Sequence, residues 1–378
     1  MTPDLQGSKS RDLRLDFFRG VALLLIFIAH VPGNWFAQYR PGAFGLSDSA
    51  DIFVFVSGSA AAFAYGSVFR RAGFVAGTGR VVRRFGQLYA GHLGLFFAVA
   101  TVCVLGNRFL KTGIDYIGLL NLTYFFNHTQ QALVGLFALT YVPNYFDILP
   151  MYMVALAILP AFMLLARLHV VIAALVSVSL YLAVPLFRLE LSAEIAFDRP
   201  WFFNPFAWQL LFYTGFFLKA GWLKPPPSGR WLMVLCALFL IASIPLSHYP
   251  TYSKIAWLDD LRERLEPFVS KTNLGILRWL HFLSLAYLSA ALLRGREQLL
   301  EGRLAAPLVK TGQQSLPVFL TGMGLSYIAG MALDVLGRDI LTTALVNALG
   351  IAGLILLAYV MAWFKSQPWR GQTKCTVS

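Results

Sequence analysis

The sequence predicts an all-α protein, a polytopic transmembrane bundle of about ten helices. Hydrophobic residues make up 58% of the 378-residue chain and charged residues only 13%, whereas a soluble domain carries about 25% charged residues. Apolar runs recur from Phe17 to the last tryptophans, and a run of about 20 such residues spans a hydrocarbon core. The remaining charges are divided unequally. With helices at 15–33, 47–66, 85–106, 147–165, 169–187, 205–222, 231–249, 274–293, 311–333 and 339–363, both termini fall on one side. Twenty of the 31 Lys and Arg lie on that side, but only five of the 18 Asp and Glu. This positive-inside pattern predicts cytoplasmic termini.

The elements follow in order. Residues 1–14 are polar and read as a cytoplasmic tail; the helix after them has no small-residue cleavage signal and is expected to be retained. That helix, LDFFRGVALLLIFIAHV from Leu15 to Val31, carries Asp16, Arg19 and His30. At 100° per residue, Arg19 and His30 lie about 20° apart and Asp16 about 40° from His30, with an axial rise of about 16 Å from Arg19 to His30. The three share one face and span roughly half the core. Ionisable groups within a membrane segment are costly and usually functional.

Helix 2 opens with Asp48 and Asp51 in SDSADIFVFVSGSAAAFAYG. Arg70, Arg71, Arg80, Arg83 and Arg84 follow, a topology determinant and a surface that would attract an anionic cofactor. Helix 3 holds His92 beside glycines. The external stretch 107–146 contains DYIGLLNLTYFFNH, too broken by Asn and Thr to span; it is expected along the interface or folded back over the bundle. Asp147 starts helix 4, Arg167 separates helices 4 and 5, and KPPPSGR at 224–230 is a rigid turn between helices 6 and 7. DDLRERLEPF at 259–268 is expected to cap the external face, and His281 lies two turns into helix 8. Helix 9 begins in GQQSLPVF, where Pro317 frees backbone groups for a cofactor mouth. Small residues at 56–66 and 320–330 suit close helix packing. The chain reads as one transmembrane domain, 15–363, between tails at 1–14 and 364–378.

Several classes are excluded. The formal net charge of +13 is accounted for by topology, so nucleic acid is not an expected partner. Cys103, Cys236 and Cys375 have no CxxC spacing and suggest neither a disulfide framework nor a metal site. No dinucleotide, Walker, HExxH or GxSxG motif appears in its required context.

The external half is where histidine and carboxylate could meet: His30, Asp51, Asp147 and His281 are the candidate catalytic residues. A carboxylate beside a neutral imidazole fixes its tautomer and supports the imidazolium after it takes a proton. Asp51 and Asp147 equally suit helix N-termini, and His281 an interhelical hydrogen bond. At the other end, Arg19 with Asp16 suits either a structural ion pair or an anion site, with Arg83 and Arg84 as further donor-binding candidates. Trp201, Trp208 and Trp279 near the external side suit interface anchors or sugar-stacking surfaces.

LDFFRG followed by His30 resembles the Arg-x10-His signature of the acyltransferase-3 superfamily. Together with DIFVFVSG at 51–58, FDILPMY at 146–152, LRWLHFLSLAYL at 277–288 and GQQSLPVF at 312–319, the ordered set is similar to the OpgC branch, whose members succinylate osmoregulated periplasmic glucans. The likeness covers nearly the whole chain. It implies a bacterial inner-membrane O-acyltransferase using succinyl-CoA or another acyl-CoA, with a periplasmic glucan as acceptor, membrane lipids around it and an association with glucan-synthesis machinery. It also implies His30 as the catalytic histidine and Arg19 as its donor-side partner, and Asp16 and Asp51 match the branch by position. Coenzyme A is heavily phosphorylated and suits the positive face, and its flexible arm of about 15–20 Å matches the rise along helix 1. A transporter or flippase for an anionic metabolite or glycan would share the polar face but consume no acyl-CoA; the lack of a convincing internal repeat counts against inverted halves.

Overall fold

The structure, a computed structural model, describes residues 12–194 and 198–369. The outer parts of both predicted tails and Cys375 lie outside the described residues. The principal helices are α1 (Leu13–His30), α2 (Ser49–Ala61), α3 (Ser67–Phe109), α4 (Ile148–Leu168), α5 (Val170–Phe187), α6 (Pro205–Ala220), α7 (Arg230–Ser247), α8 (Ile276–Leu293), α9 (Ala306–Gln313), α10 (Ser315–Leu336) and α11 (Ile340–Ser366). Leu175 on α5, Ile241 on α7 and Leu356 on α11 are among many exposed large apolar side chains. Such faces are costly in water and natural in lipid. The chain is a multi-pass membrane protein.

Among the described residues, seven helices rather than ten are long and apolar enough to cross a membrane. The difference has local causes. Predicted helices 2 and 3 join in one run, Ser49–Phe109, through a π-helical turn at Ala62–Gly66; the loop expected at 67–84 is itself helical, interrupted only at Gly73, whose φ of +83° suits glycine. Three charged residues, Arg14, Asp16 and Arg19, set α1 apart from the apolar spans, and α6 has only 16 residues. A short antiparallel pair, Ser192–Glu194 with Arg199–Pro200, departs from the purely helical expectation.

Two glycine crossings bring the central helices together. A Cβ on Gly20 of α1 would collide with the Leu308 carbonyl, and one on Gly312 of α9 with the Asp16 carbonyl. Likewise, Gly58 of α2 abuts the Phe212 carbonyl and Gly215 of α6 the Phe55 carbonyl. Removing the side chain at each crossing lets backbones touch, as helix packing in lipid favours. The stretch 115–138 folds back on the bundle as three short helices, with Phe125 against Phe96 at 4.8 Å and Tyr89 donating to the Phe137 carbonyl at 2.7 Å.

Candidate active site

Asp12 caps α1, accepting the Arg14 backbone N–H, and binds the Lys219 ammonium at 2.6 Å. Burial disfavours its charge, but the hydrogen bonds from Arg14 and Lys219 outweigh that and hold the carboxyl at about 2. This anchors the start of α1 to the end of α6. About two turns further, Arg19 donates to the Val56 carbonyl at 3.1 Å, and a guanidinium nitrogen lies 3.9 Å from Asp16. Asp16 is 3% and Arg19 8% exposed. Arg19 lines a cavity of about 200 Å³ with Ser57, Tyr65, Arg84, Tyr152 and Ser315. The π-helical turn carries Ala64 and Tyr65 into that wall, in keeping with the occurrence of π-bulges at functional sites. Arg84 therefore joins Arg19, whereas Arg83 is exposed and outside the cavity.

His30 closes the other end of α1. Its Nδ1 lies 2.7 Å from the Ile26 carbonyl oxygen. A carbonyl only accepts, so Nδ1 carries the proton and, in the neutral ring, Nε2 carries the lone pair. The carboxylate expected to set this tautomer is replaced by backbone of the same helix: among the described residues no hydrogen bond or ion pair joins His30 to Asp51, Asp147 or His281. His30 lines a chamber of about 780 Å³ together with Asp48, Asp147, Tyr145, Trp201 and Lys271. Arg262 and Glu266, from the segment expected to cap this face, form part of its lining, with Val269 just after it. A second chamber, of about 360 Å³, also reaches His30 and is lined by Asn34, Tyr116, Asp334 and Arg338.

The other candidates occupy distinct places. Asp51 is fully buried, accepts the Asp48 backbone N–H at 2.7 Å in a capping box, and pairs with Arg278 at 2.5 Å. Asp48 meets Arg278 at 3.2 Å and Lys271 at 2.6 Å. Two carboxylates and two cations thus tie the start of α2 to that of α8. Asp147 faces the large chamber but accepts the Phe202 N–H at 3.0 Å, fixing the segment before α6. His281, behind the chamber wall, shares a 2.8 Å hydrogen bond with Ser47. His92 is buried against Phe146, away from the three cavities. Trp208 is fully buried and donates to the Lys271 carbonyl, and Trp201 is 3% exposed; neither is an interface anchor.

Phe319 lines both the Arg19 cavity and the large His30 chamber, and its ring stacks on Phe53 with centroids 5.8 Å apart. This pair stands between the two spaces. Sequence reasoning passed over four residues that shape the site: Arg278, Lys271, Tyr145 and Arg40. The signal for Arg278 was present, since it is an arginine inside a predicted span. Arg40 faces both His30 chambers, and its side chain has no ion-pair partner among the described residues.

Among the described residues no group of three or more His, Cys, Asp or Glu is arranged to hold a metal ion. Comparison with curated proteins and with solved structures gives no match. A family model described as "OpgC protein" matches residues 11–366, almost the whole chain. The chain therefore belongs to the OpgC family, within the acyltransferase-3 superfamily.

Proposed function

We propose that the protein moves a succinyl group from cytoplasmic succinyl-CoA to a hydroxyl of a periplasmic glucan. The observation that carries this reading is the order of spaces along α1: a cavity with two arginines at one end, a chamber holding a histidine with its Nε2 lone pair at the other, and one aromatic pair between them. Arg19 and Arg84 suit the phosphates of coenzyme A, because guanidinium pairs with phosphate through paired hydrogen bonds. The pantetheine arm then passes the Phe53 and Phe319 rings to bring the thioester to His30.

At His30, Nε2 takes the proton of the acceptor hydroxyl as its oxygen attacks the thioester carbonyl. The tetrahedral intermediate collapses, the carbon–sulfur bond breaks, and the imidazolium returns the proton to the leaving thiolate. The products are the ester and free coenzyme A. The Ile26 carbonyl holds the tautomer this requires, and Arg40 is an uncommitted cation for the developing negative charge. Asp51 and His281 act as positioning residues: Asp51 aligns α2 with α8 through Arg278, and His281 fixes the Ser47 turn. Asp147 positions the chamber wall. In this reading both termini are cytoplasmic and the His30 chambers open to the periplasm.

The test is purified protein in liposomes with labelled succinyl-CoA and glucan. Label on the glucan is expected, together with its loss in His30→Ala by at least about 10²-fold while the thermal unfolding profile stays that of wild type. Wild-type transfer by a folded His30→Ala protein would remove His30 from the chemistry. Movement of unmodified solute without consumption of succinyl-CoA would make the protein a transporter.

A further inference from the structure

Two separate chambers converge on His30, whereas transfer to a lone sugar needs only one. Ala29, His30, Arg40 and Tyr145 line both. Tyr145 stands at the junction with its ring edge-on to the His30 imidazole, centroids 5.4 Å apart and planes at 79°. Its φ of +72° lies in the left-handed region that a bulky residue rarely enters. Tyr145 is 55% exposed and lines both chambers beside the histidine.

The smaller chamber is built rather than incidental. Asn34 and Asn347 exchange reciprocal hydrogen bonds at 2.9 and 3.0 Å. Arg338 donates to the Pro32 carbonyl at 2.6 Å and to Asp334 at 2.5 Å, and Asp334 also accepts the Tyr116 hydroxyl at 3.2 Å. These bonds fix a rim of mixed donors and acceptors beside tyrosine rings. Such a lining suits a polyhydroxylated ring, whose hydroxyls donate and accept while its C–H face rests on an aromatic. At about 360 Å³ the chamber lies within the ordinary size range of a small-molecule site by itself, roughly 300–1,000 Å³. An acyl group of a few carbons would leave most of it empty.

We propose that the smaller chamber is a second acceptor subsite, which holds the sugar unit adjoining the one acylated, so that the enzyme modifies inner units of a glucan chain crossing His30. This rests on the reading of His30 as the transfer base. A one-unit acceptor fills one chamber; a chain fills both and gains the contacts of the second.

Ala37 lines the smaller chamber and is absent from the lining of the larger, so Ala37→Trp fills that arm alone. The experiment compares kcat/KM for a glucose oligosaccharide and for methyl glucoside, with succinyl-CoA as donor, and locates the ester on the oligosaccharide by tandem mass spectrometry. Wild type should favour the oligosaccharide by at least tenfold and place the ester on inner units. Ala37→Trp should cut that preference by about tenfold. Esters on terminal units only, or a preference that survives Ala37→Trp unchanged, overturn the subsite. The mapping on wild-type product decides the matter even if the variant does not fold. Failure of wild type to acylate either acceptor would overturn the transferase reading itself, a result distinct from acylation at the wrong unit.

Discussion

Arg278 shows how a single side chain can set the stability of the site. Asp51 is fully buried, and its carboxylate is held by the Arg278 guanidinium at 3.1 and 2.5 Å and by the Asp48 backbone N–H at 2.7 Å. Removing one partner of a buried pair leaves an uncompensated charge and costs about 3–5 kcal/mol, whereas removing both often costs far less. Arg278→Met should therefore lower the thermal unfolding temperature in detergent sharply, and Arg278→Met with Asp51→Asn should recover much of the loss. Equal losses in the two proteins would show that packing, not charge, governs the position. Sequence alone favoured His281, three residues on. The partnership of Asp51 and Arg278 is formed across 227 positions, and no local spacing rule reaches that far. His30 and Arg19 were legible because their relation lies within one helix, whose geometry is fixed by 3.6 residues per turn.

At the scale of elements, the boundary between the Arg19 cavity and the large His30 chamber is an encounter of α2 with α10. Phe53 and Phe319 come from helices far apart in sequence, and both rings are buried. If the thioester passes here, the size of the Phe319 side chain sets how tightly the acyl donor is sealed from water at the opposite end. Phe319→Leu should raise hydrolysis of succinyl-CoA without acceptor by several-fold and broaden the range of acyl chain lengths transferred. Unchanged hydrolysis and an unchanged chain-length profile would locate the passage elsewhere. Element ends were read less well than element existence. The stretch 67–84 lies between predicted helices 2 and 3, yet arginine is a good helix former and no proline interrupts it. Only Gly73 breaks the run.

For the whole molecule, the charge asymmetry makes a topological prediction. With cytoplasmic termini, Lys224 in the proline-rich turn faces the cytoplasm and Lys254, before the short charged helix at Ala256–Arg264, faces the periplasm. Both are exposed. A membrane-impermeant amine reagent applied to intact spheroplasts should modify Lys254 and spare Lys224, and lysis should then make Lys224 reactive. The opposite pattern would invert the orientation and with it the assignment of donor and acceptor ends.

The sequence by itself determined that this is a helical membrane protein and that one helix carries Asp16, Arg19 and His30 on a common face, because hydropathy and helical period act within a segment. Its ordered motifs also pointed to the family. The tertiary structure decided what each of those groups faces: Arg84 beside Arg19, the Ile26 carbonyl instead of a carboxylate at His30, and two chambers meeting at one imidazole. Cavities and ion pairs are made by residues from several helices, so their positions depend on where glycines let those helices touch. That is a property of the packed bundle and of no single segment.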